Sequence, residues 1–315
     1  MKIVVTEPLH MAKEAKGALG ALGSVAYGPF DDDALKAELA DCDVLMVRLG
    51  RHIGAPLMQV APNLRYILTA TTGLDHIDLE AAQARGIRVV SLRDCPGAIK
   101  DVSATAEHCL GLLLALVRET VPAAAHVTEG GWDRNLFFGR QLRGKRLGII
   151  GYGRIGALLT GYANALGMEV VAHDRDAATI AAPAAKLPLA ELLSTSDVVS
   201  IHVTADPENR HLIDRDAIAT MRRGAFLLNT ARGSLIDEAA VAEAVAAGHL
   251  AGVAVDVLEG EEKGATEASP LLAAARAGHN VLITPHIGGA TFEAIRQAEC
   301  AVIDLLAGVL ENARS

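Results

Sequence analysis

The sequence predicts an α/β fold with two parallel sheets, each covered by helices on both faces. Three observations carry this prediction. Short β-rich runs alternate with longer Ala- and Leu-rich runs along almost the whole chain, which is the pattern of strands joined by crossover helices. The alternation breaks at Pro96-Gly97 and restarts at Arg146, so two separate strand series are present. The length of 315 residues matches about two domains at roughly 150 residues each.

The first series reads KIVVT (2–6), SVAY (24–27), VLMVR (44–48), YILTA (66–70) and RVVSL (88–92). Most of these runs are apolar throughout, as expected where both faces of a parallel sheet are covered. Leu79–Arg85 followed by Gly86 reads as a helix with a glycine stop. A long apolar helix over about 100–118 follows the break and ends before Pro122. The stretch TEGGWDRNLFFGRQLRGK (128–145) is polar and irregular and holds the single tryptophan, Trp132. The second series is RLGIIG (146–151), EVVAHD (169–174), DVVSIHV (197–203), AFLLNT (225–230), GVAVDV (252–257) and VLITP (281–285). An amphipathic helix over 291–310 closes the chain and is expected to return to the first unit.

Composition excludes several function classes. Hydrophobic residues make up 51% and charged residues 21%, enough apolar material for large cores and too much for global disorder. A net charge of −9 with 3% aromatics argues against nucleic acid or an anionic membrane as partner. The run CLGLLLALV (109–117) falls short of the about 20 apolar residues that span a bilayer. The start MKIVVTE lacks the apolar core and cleavage site of a signal peptide. Cys42, Cys95, Cys109 and Cys300 are widely spaced without a C-x-x-C pair, so the expectation is reduced, buried thiols, no metal site and a cytoplasmic location.

GYGRIG (151–156) follows the strand RLGII and opens the helical pattern ALLTGYANALG. This is the strand–turn–helix setting of a dinucleotide fingerprint. Gly151 permits the tight turn, Gly153 lets the backbone approach a pyrophosphate, and Gly156 lets the helix pack on the strand. Unpaired N–H groups and the helix dipole would hold the pyrophosphate. Asp174 ends the next strand, where an acid accepts bonds from the adenosine ribose and repels a 2′-phosphate, favouring NAD over NADP. Arg175 beside it works against that preference. The alternative for the motif alone is a tight turn without a ligand.

Ligands of open parallel sheets bind beyond the carboxyl ends of the strands. In the second series those ends carry Arg232 after AFLLNT, then Asp256, Glu259, Glu261 and Glu262 after GVAV, and His286 with Gly288-Gly289 after VLIT. An arginine, an acid cluster and a histidine are therefore expected to converge where the nicotinamide sits. A histidine can take the hydroxyl proton as hydride leaves an alcohol carbon. A neighbouring carboxylate would orient its ring and favour its charged form. An arginine fork matches a substrate carboxylate. Taken singly, each residue also has a structural reading: a loop salt bridge, a solvated acidic loop, a satisfied turn histidine.

GYGRIG, NTARGSLIDE (229–238), GVAVDVLEGEE (252–262) and PHIGGAT (285–291) together resemble the D-isomer-specific 2-hydroxyacid dehydrogenases, with the phosphoglycerate dehydrogenase branch most similar. The likeness extends through TTGLDHIDLEAAQARGI (71–87) and SATAEHCLGLLLALVR (103–118). It implies two doubly wound parallel-sheet domains, with a Rossmann NAD domain (99–286) inserted in a flavodoxin-like substrate domain (1–98 and 287–315). By matching position it implies Arg232, Glu261 and His286 as catalytic residues, with Glu261 paired to His286. It implies a cofactor site of Gly151, Gly153, Arg154, Ile155, Gly156, Asp174, Thr204, Thr230, Ala231, Arg232, Asp256, His286 and Gly288. The turn Thr72-Gly73-Leu74 would offer N–H groups to the substrate carboxylate, and Arg48 would contact a phosphorylated substrate. A homodimer through about 100–143, with Trp132 as an anchor, is implied as well.

Departures from the family pattern are visible. Glu262 stands where a proline usually follows the glutamate, and Val203-Thr204 follow His202. No regulatory extension follows the last helix, so allosteric control by serine is not expected. Arg51 and His52 follow Arg48, and Arg134 is a further candidate cation from across a dimer, but surface arginines are an equal reading. Glyoxylate, hydroxypyruvate, 3-phosphoglycerate and sugar-derived 2-keto acids all stay open as substrates. So does a non-enzymatic NAD(H)-sensing protein resembling corepressors on this scaffold.

Overall fold

A computed structural model describes residues 1–261 and 264–312. The chain divides into two compact units, Met1–Val102 with the terminal segment from Ala290, and Ser103–Gly289.

The first unit alternates β1 (Lys2–Val5), α1 (Lys13–Leu22), β2 (Ser24–Tyr27), α2 (Asp32–Leu39), β3 (Val44–Val47), α3 (Ala55–Gln59), β4 (Tyr66–Thr69), α4 (Leu79–Ala84) and β5 (Arg88–Ser91). All its strands are parallel, in the order β2-β1-β3-β4-β5, which is a flavodoxin-type doubly wound sheet. Period-2 side-chain alternation sorts each strand into two cores. Ile3, Val5, Val44, Met46 and Leu68 face Leu19 of α1 and Val302, Ile303 and Leu306 of the C-terminal helix (Phe292–Asn312). Val4, Leu45, Val47 and Ile67 face Leu35, Leu39 and Met58 on the other side. Most of these side chains are fully buried, each contributing roughly 1.5–3 kcal/mol. Asp31 and Asp78 accept from the backbone N–H of Ala34 and Ala81 and so start α2 and α4. Gly86, at φ 67, ends α4 as its position predicts.

The second unit runs α5 (Ala104–Val117), α6 (Thr120–Thr128), β6 (Arg146–Ile150), α7 (Arg154–Ala165), β7 (Glu169–His173), β8 (Ala185–Lys186), α8 (Leu189–Thr195), β9 (Val198–Ile201), α9 (Arg215–Thr220), β10 (Ala225–Asn229), α10 (Glu238–Ala246), β11 (Leu250–Val255), α11 (Pro270–Arg276) and β12 (Val281–Ile283). The sheet order is β12-β11-β10-β9-β6-β7-β8, again all parallel. The order reverses between β6 and β9, which creates the switch point where such sheets receive ligands. One face packs on α5 and α7 through Leu112, Leu113, Leu116 and Leu159. The other packs on α8 to α11 through Leu192, Ile218, Val241 and Leu271. The helix Phe292–Asn312, α12, closes the chain.

Several sequence expectations need correction. The long helix begins at Ala104, because Pro96–Ile99 form a separate 3-10 turn. A second helix, α6, includes Pro122 in its first turn, where a missing N–H costs nothing. The two-residue strand β8 is too short to leave a periodic signal. Cys42 and Cys109 are buried, whereas Cys95 and Cys300 are only half-buried. No single helix among the described residues is long and apolar enough to cross a membrane.

Candidate active site

The glycine-rich turn sits between β6 and α7, at the switch point. Gly151 adopts φ 92, and a Cβ there would lie 2.7 Å from the backbone carbon of His202. A Cβ on Gly156 would lie 2.5 Å from the Gly151 carbonyl oxygen. Only glycine lets turn, helix and strand approach this closely. A Cβ on Gly153, in contrast, would meet nothing within 4 Å, so its backbone borders open space at the N-terminus of α7. Arg154 and Ile155 begin that helix, and burial holds the Arg154 guanidinium below the usual arginine pKa. This cradle fits a dinucleotide pyrophosphate.

Asp174, just past β7, ties this turn down. Its Oδ2 accepts from the Tyr152 N–H at 2.7 Å and its Oδ1 from the Asp176 N–H at 3.0 Å. Arg175 is drawn to other acids: it donates to Asp206 at 2.6 Å and Glu208 at 3.1 Å. The same pairing lowers the Asp206 carboxyl pKa. Thr204 follows β9, and its carbonyl accepts from Asn209 Nδ2 at 2.9 Å. His202, two residues earlier, hydrogen-bonds Ser200 Oγ through Nε2 at 2.8 Å, and burial pushes its pKa down to about 4.

The remaining polar residues follow three adjacent strands. Thr230, Ala231 and Arg232 come after β10, Asp256 and Glu261 after β11, and His286 after β12. Asn229 shapes the first loop, donating from Nδ2 to the Arg232 carbonyl at 2.8 Å and accepting from the Ala231 N–H at 3.0 Å. Arg232 Nη1 donates to the Ala231 carbonyl at 2.6 Å. The next residue, Gly233, presses against the second loop. A Cβ there would lie 2.1 Å from the Leu258 carbonyl carbon and 2.2 Å from the Glu259 nitrogen. The arginine and glutamate loops therefore touch backbone to backbone.

The acid cluster resolves into separate roles. Glu261 Oε1 hydrogen-bonds His286 Nδ1, while its Oε2 accepts from the Leu258 N–H at 2.9 Å. Both side chains of that pair keep about a quarter of their surface exposed, at 24% and 27%. Glu259 pairs instead with Arg210 and with His211 Nε2, the latter at 3.2 Å. Burial pushes the Glu259 carboxyl up, but hydrogen bonds from His211 and Arg210 outweigh it and leave the pKa below the ordinary value. Glu262 lies outside the described residues.

His286 has a left-handed backbone, φ 54, a conformation costing a non-glycine residue of order 1–3 kcal/mol. Asp256 holds it there. The Asp256 carbonyl accepts from the His286 N–H at 2.8 Å. Its carboxylate accepts from the Ile287 N–H at 2.9 Å, the Gly288 N–H at 2.7 Å and Thr284 Oγ1 at 2.6 Å. Asp256 is 1% exposed, so it acts as a clamp on the histidine turn, which its position after a strand did not reveal.

Two further residues escaped the sequence reading. His108 on α5 reaches Thr284 Oγ1 at 3.0 Å and Asp256 Oδ1 at 3.2 Å through Nε2. Glu238, at the start of α10, accepts from the Glu259 N–H at 2.7 Å and from Ser269 Oγ at 2.5 Å, bracing the acidic loop. His108 lies far from its partners in sequence and left no signal. A buried acid inside NTARGSLIDE was the only available clue to Glu238.

In the first unit, the backbone N–H groups of Thr72, Gly73 and Leu74 have no partner among the described residues. Thr71 Oγ1 donates to the Gly73 carbonyl at 2.7 Å, and Arg93 Nε to the Thr72 carbonyl at 2.6 Å, fixing the turn through its carbonyls. Arg48 is engaged internally, by Glu299 and by the Leu9 carbonyl.

Comparison with known proteins finds relatives in both sequence and fold. The family model for the D-isomer specific 2-hydroxyacid dehydrogenase, NAD binding domain, matches residues 110–288. The chain is 37% identical to D-3-phosphoglycerate dehydrogenase of Methanocaldococcus jannaschii over 318 residues, covering 99% of this chain and 58% of that protein. It thus spans little more than half of that relative. It is 35% identical to hydroxypyruvate reductase of Thermotoga maritima, covering 87% of each. Among solved structures, TT0316 protein from Thermus thermophilus superposes with a TM-score of 0.84 at 36% identity, covering 99% of this chain and 97% of that one.

Proposed function

The chain belongs to the D-isomer specific 2-hydroxyacid dehydrogenase family, and from that premise we propose that it interconverts a D-2-hydroxy acid and its 2-keto acid with NAD. The observation that carries the proposal is the Glu261–His286 pair, seated beyond adjacent parallel strands in the unit that holds the glycine cradle. NAD, when bound, supplies the hydride acceptor. The second unit binds it through Gly151, Gly153, Arg154, Ile155, Gly156, Asp174, Thr204, Thr230, Ala231 and Gly288, and the first unit holds the substrate.

Each residue has a defined task. His286 accepts the C2 hydroxyl proton at its Nε2, because Nδ1 is engaged by Glu261. Glu261 fixes ring orientation and stabilises the charged imidazole. Asp256 keeps the histidine turn in its strained form. Arg232 pairs with the substrate carboxylate and polarises the C2 oxygen. In the first unit, the N–H groups of Thr72, Gly73 and Leu74 are the proposed donors to substrate. Arg175 is paired with Asp206 and Glu208, and Asp174, just past β7, would be the acceptor for the ribose hydroxyls, a combination that favours NAD over NADP.

Val121, Val127, Trp132, Leu136 and Phe138 expose apolar side chains, Trp132 at 89%. This band supports a homodimer through α6 and the segment after it. The four free thiols suit a cytoplasmic location.

The test is NADH oxidation against a panel of 2-keto acids. His286→Ala is expected to lower kcat by about 10²–10⁴-fold while NADH binding is retained. Wild-type-like turnover in that variant, or no turnover of any 2-keto acid by the parent, refutes the proposal.

A further inference from the structure

Two neighbouring loops at the carboxyl ends of β3 and β4 treat anions in opposite ways. After β4, the backbone donors of the Thr72–Leu74 turn meet no partner among the described residues. After β3, the corresponding donors are already filled by the protein's own carboxylates. Glu7 Oε2 accepts from the Arg48 N–H at 2.8 Å, and Glu7 Oε1 from the Gly50 N–H at 2.7 Å. Glu299 of α12 takes the Arg48 guanidinium, and the Leu9 carbonyl takes its Nη1 at 2.8 Å. Arg51 is bound too, by Asp32 at 2.6 Å and the Phe30 carbonyl at 3.3 Å.

Glu299 cannot step aside for a ligand. It is 1% exposed, and its other oxygen accepts from the Ala12 N–H at 3.1 Å. Its backbone belongs to α12, whose Val302 and Leu306 are buried in the core. The cluster Glu7, Arg48 and Glu299 holds two carboxylates and one guanidinium, so a phosphate dianion would meet like charge in a partly desolvated site.

We propose that this enzyme acts on a substrate with one carboxylate and no phosphate, a short unphosphorylated 2-keto or 2-hydroxy acid, because Glu7 and Glu299 already take the backbone donors and the guanidinium that the β3 loop could offer a second anion beside the Thr72–Leu74 turn. The inference rests on the dehydrogenase reading above and narrows it.

The decisive experiment compares hydroxypyruvate with 3-phosphohydroxypyruvate as oxidants of NADH, using the full chain. The two differ only by the phosphate. Hydroxypyruvate is expected to have the higher kcat/KM, by at least about 100-fold. Equal or better use of the phosphorylated acid overturns the proposal. Glu299→Gln, which removes the competing charge, is expected to narrow the ratio at least about tenfold, and a ratio unchanged in the folded variant counts against it. Calorimetry keeps the two readings apart. If neither acid oxidises NADH, the dehydrogenase reading fails. The anion inference then stands if 3-phosphoglycerate binds no better than D-glycerate, and falls if it binds tighter.

Discussion

Gly233→Ala probes whether the arginine and glutamate loops must touch. The new Cβ would sit 2.1 Å from the Leu258 carbonyl carbon, 2.2 Å from the Glu259 nitrogen and 2.5 Å from the Leu258 carbonyl oxygen. Ordinary contact begins near 3.4 Å, so one backbone has to retreat by roughly 1 Å, and no flexible side chain can absorb the shift. Glu261 is anchored to the Leu258 N–H, so the retreat drags the carboxylate away from His286. A displacement of about 1 Å at a catalytic group costs on the order of 10²-fold in rate, and overpacking of this kind costs about 1–3 kcal/mol in stability. The assay is steady-state reduction of the best 2-keto acid, with urea unfolding on the same samples. A loss of about 100-fold in kcat with a modest fall in stability is expected. Unchanged kcat in a folded Gly233→Ala protein refutes the coupling between these loops.

Three further outcomes follow from the geometry. Asp256→Asn presents an amide to two backbone N–H groups and is expected to cost about 2–4 kcal/mol in urea unfolding, with less than 0.5 kcal/mol contradicting the clamp. His202, with its pKa pushed down from 6.5 to about 4 by burial, stays neutral in the folded protein while the unfolded chain takes up a proton. Its contribution is therefore present above pH 6.5 and is lost as pH falls towards 4, by at most ~3 kcal/mol and by less because the residue keeps some solvent contact. His202→Gln should flatten that slope, and an unaltered pH dependence of urea stability would exclude the assignment. Burial pushes the Cys42 thiol up to about 12 and the Cys109 thiol up to about 11, so a thiol reagent at pH 8 is expected to reach Cys95 and Cys300 in the native protein and the other two only after unfolding; rapid native labelling of Cys109 would contradict its burial.

The sequence by itself determined the strand series, the two sheets and the glycine cradle, because these are written in local periodicity and in glycines that tolerate no Cβ. It also put Arg232, Glu261 and His286 at strand ends, because parallel topology sends every such residue to the same edge. It missed α6, since a proline in a first turn looks like a stop when the helix start is not known. Spacing left open which glutamate serves which histidine, and only the family resemblance pointed to Glu261; the tertiary structure turns Glu259 to His211 and Glu261 to His286, along loop paths that neighbouring residues do not encode. It alone turned Asp256 inward to hold a strained turn, and it alone paired Arg48 with a carboxylate from the far end of the chain. Periodicity reports which face a residue occupies, whereas the partner of a charge depends on contacts between segments that are remote in sequence.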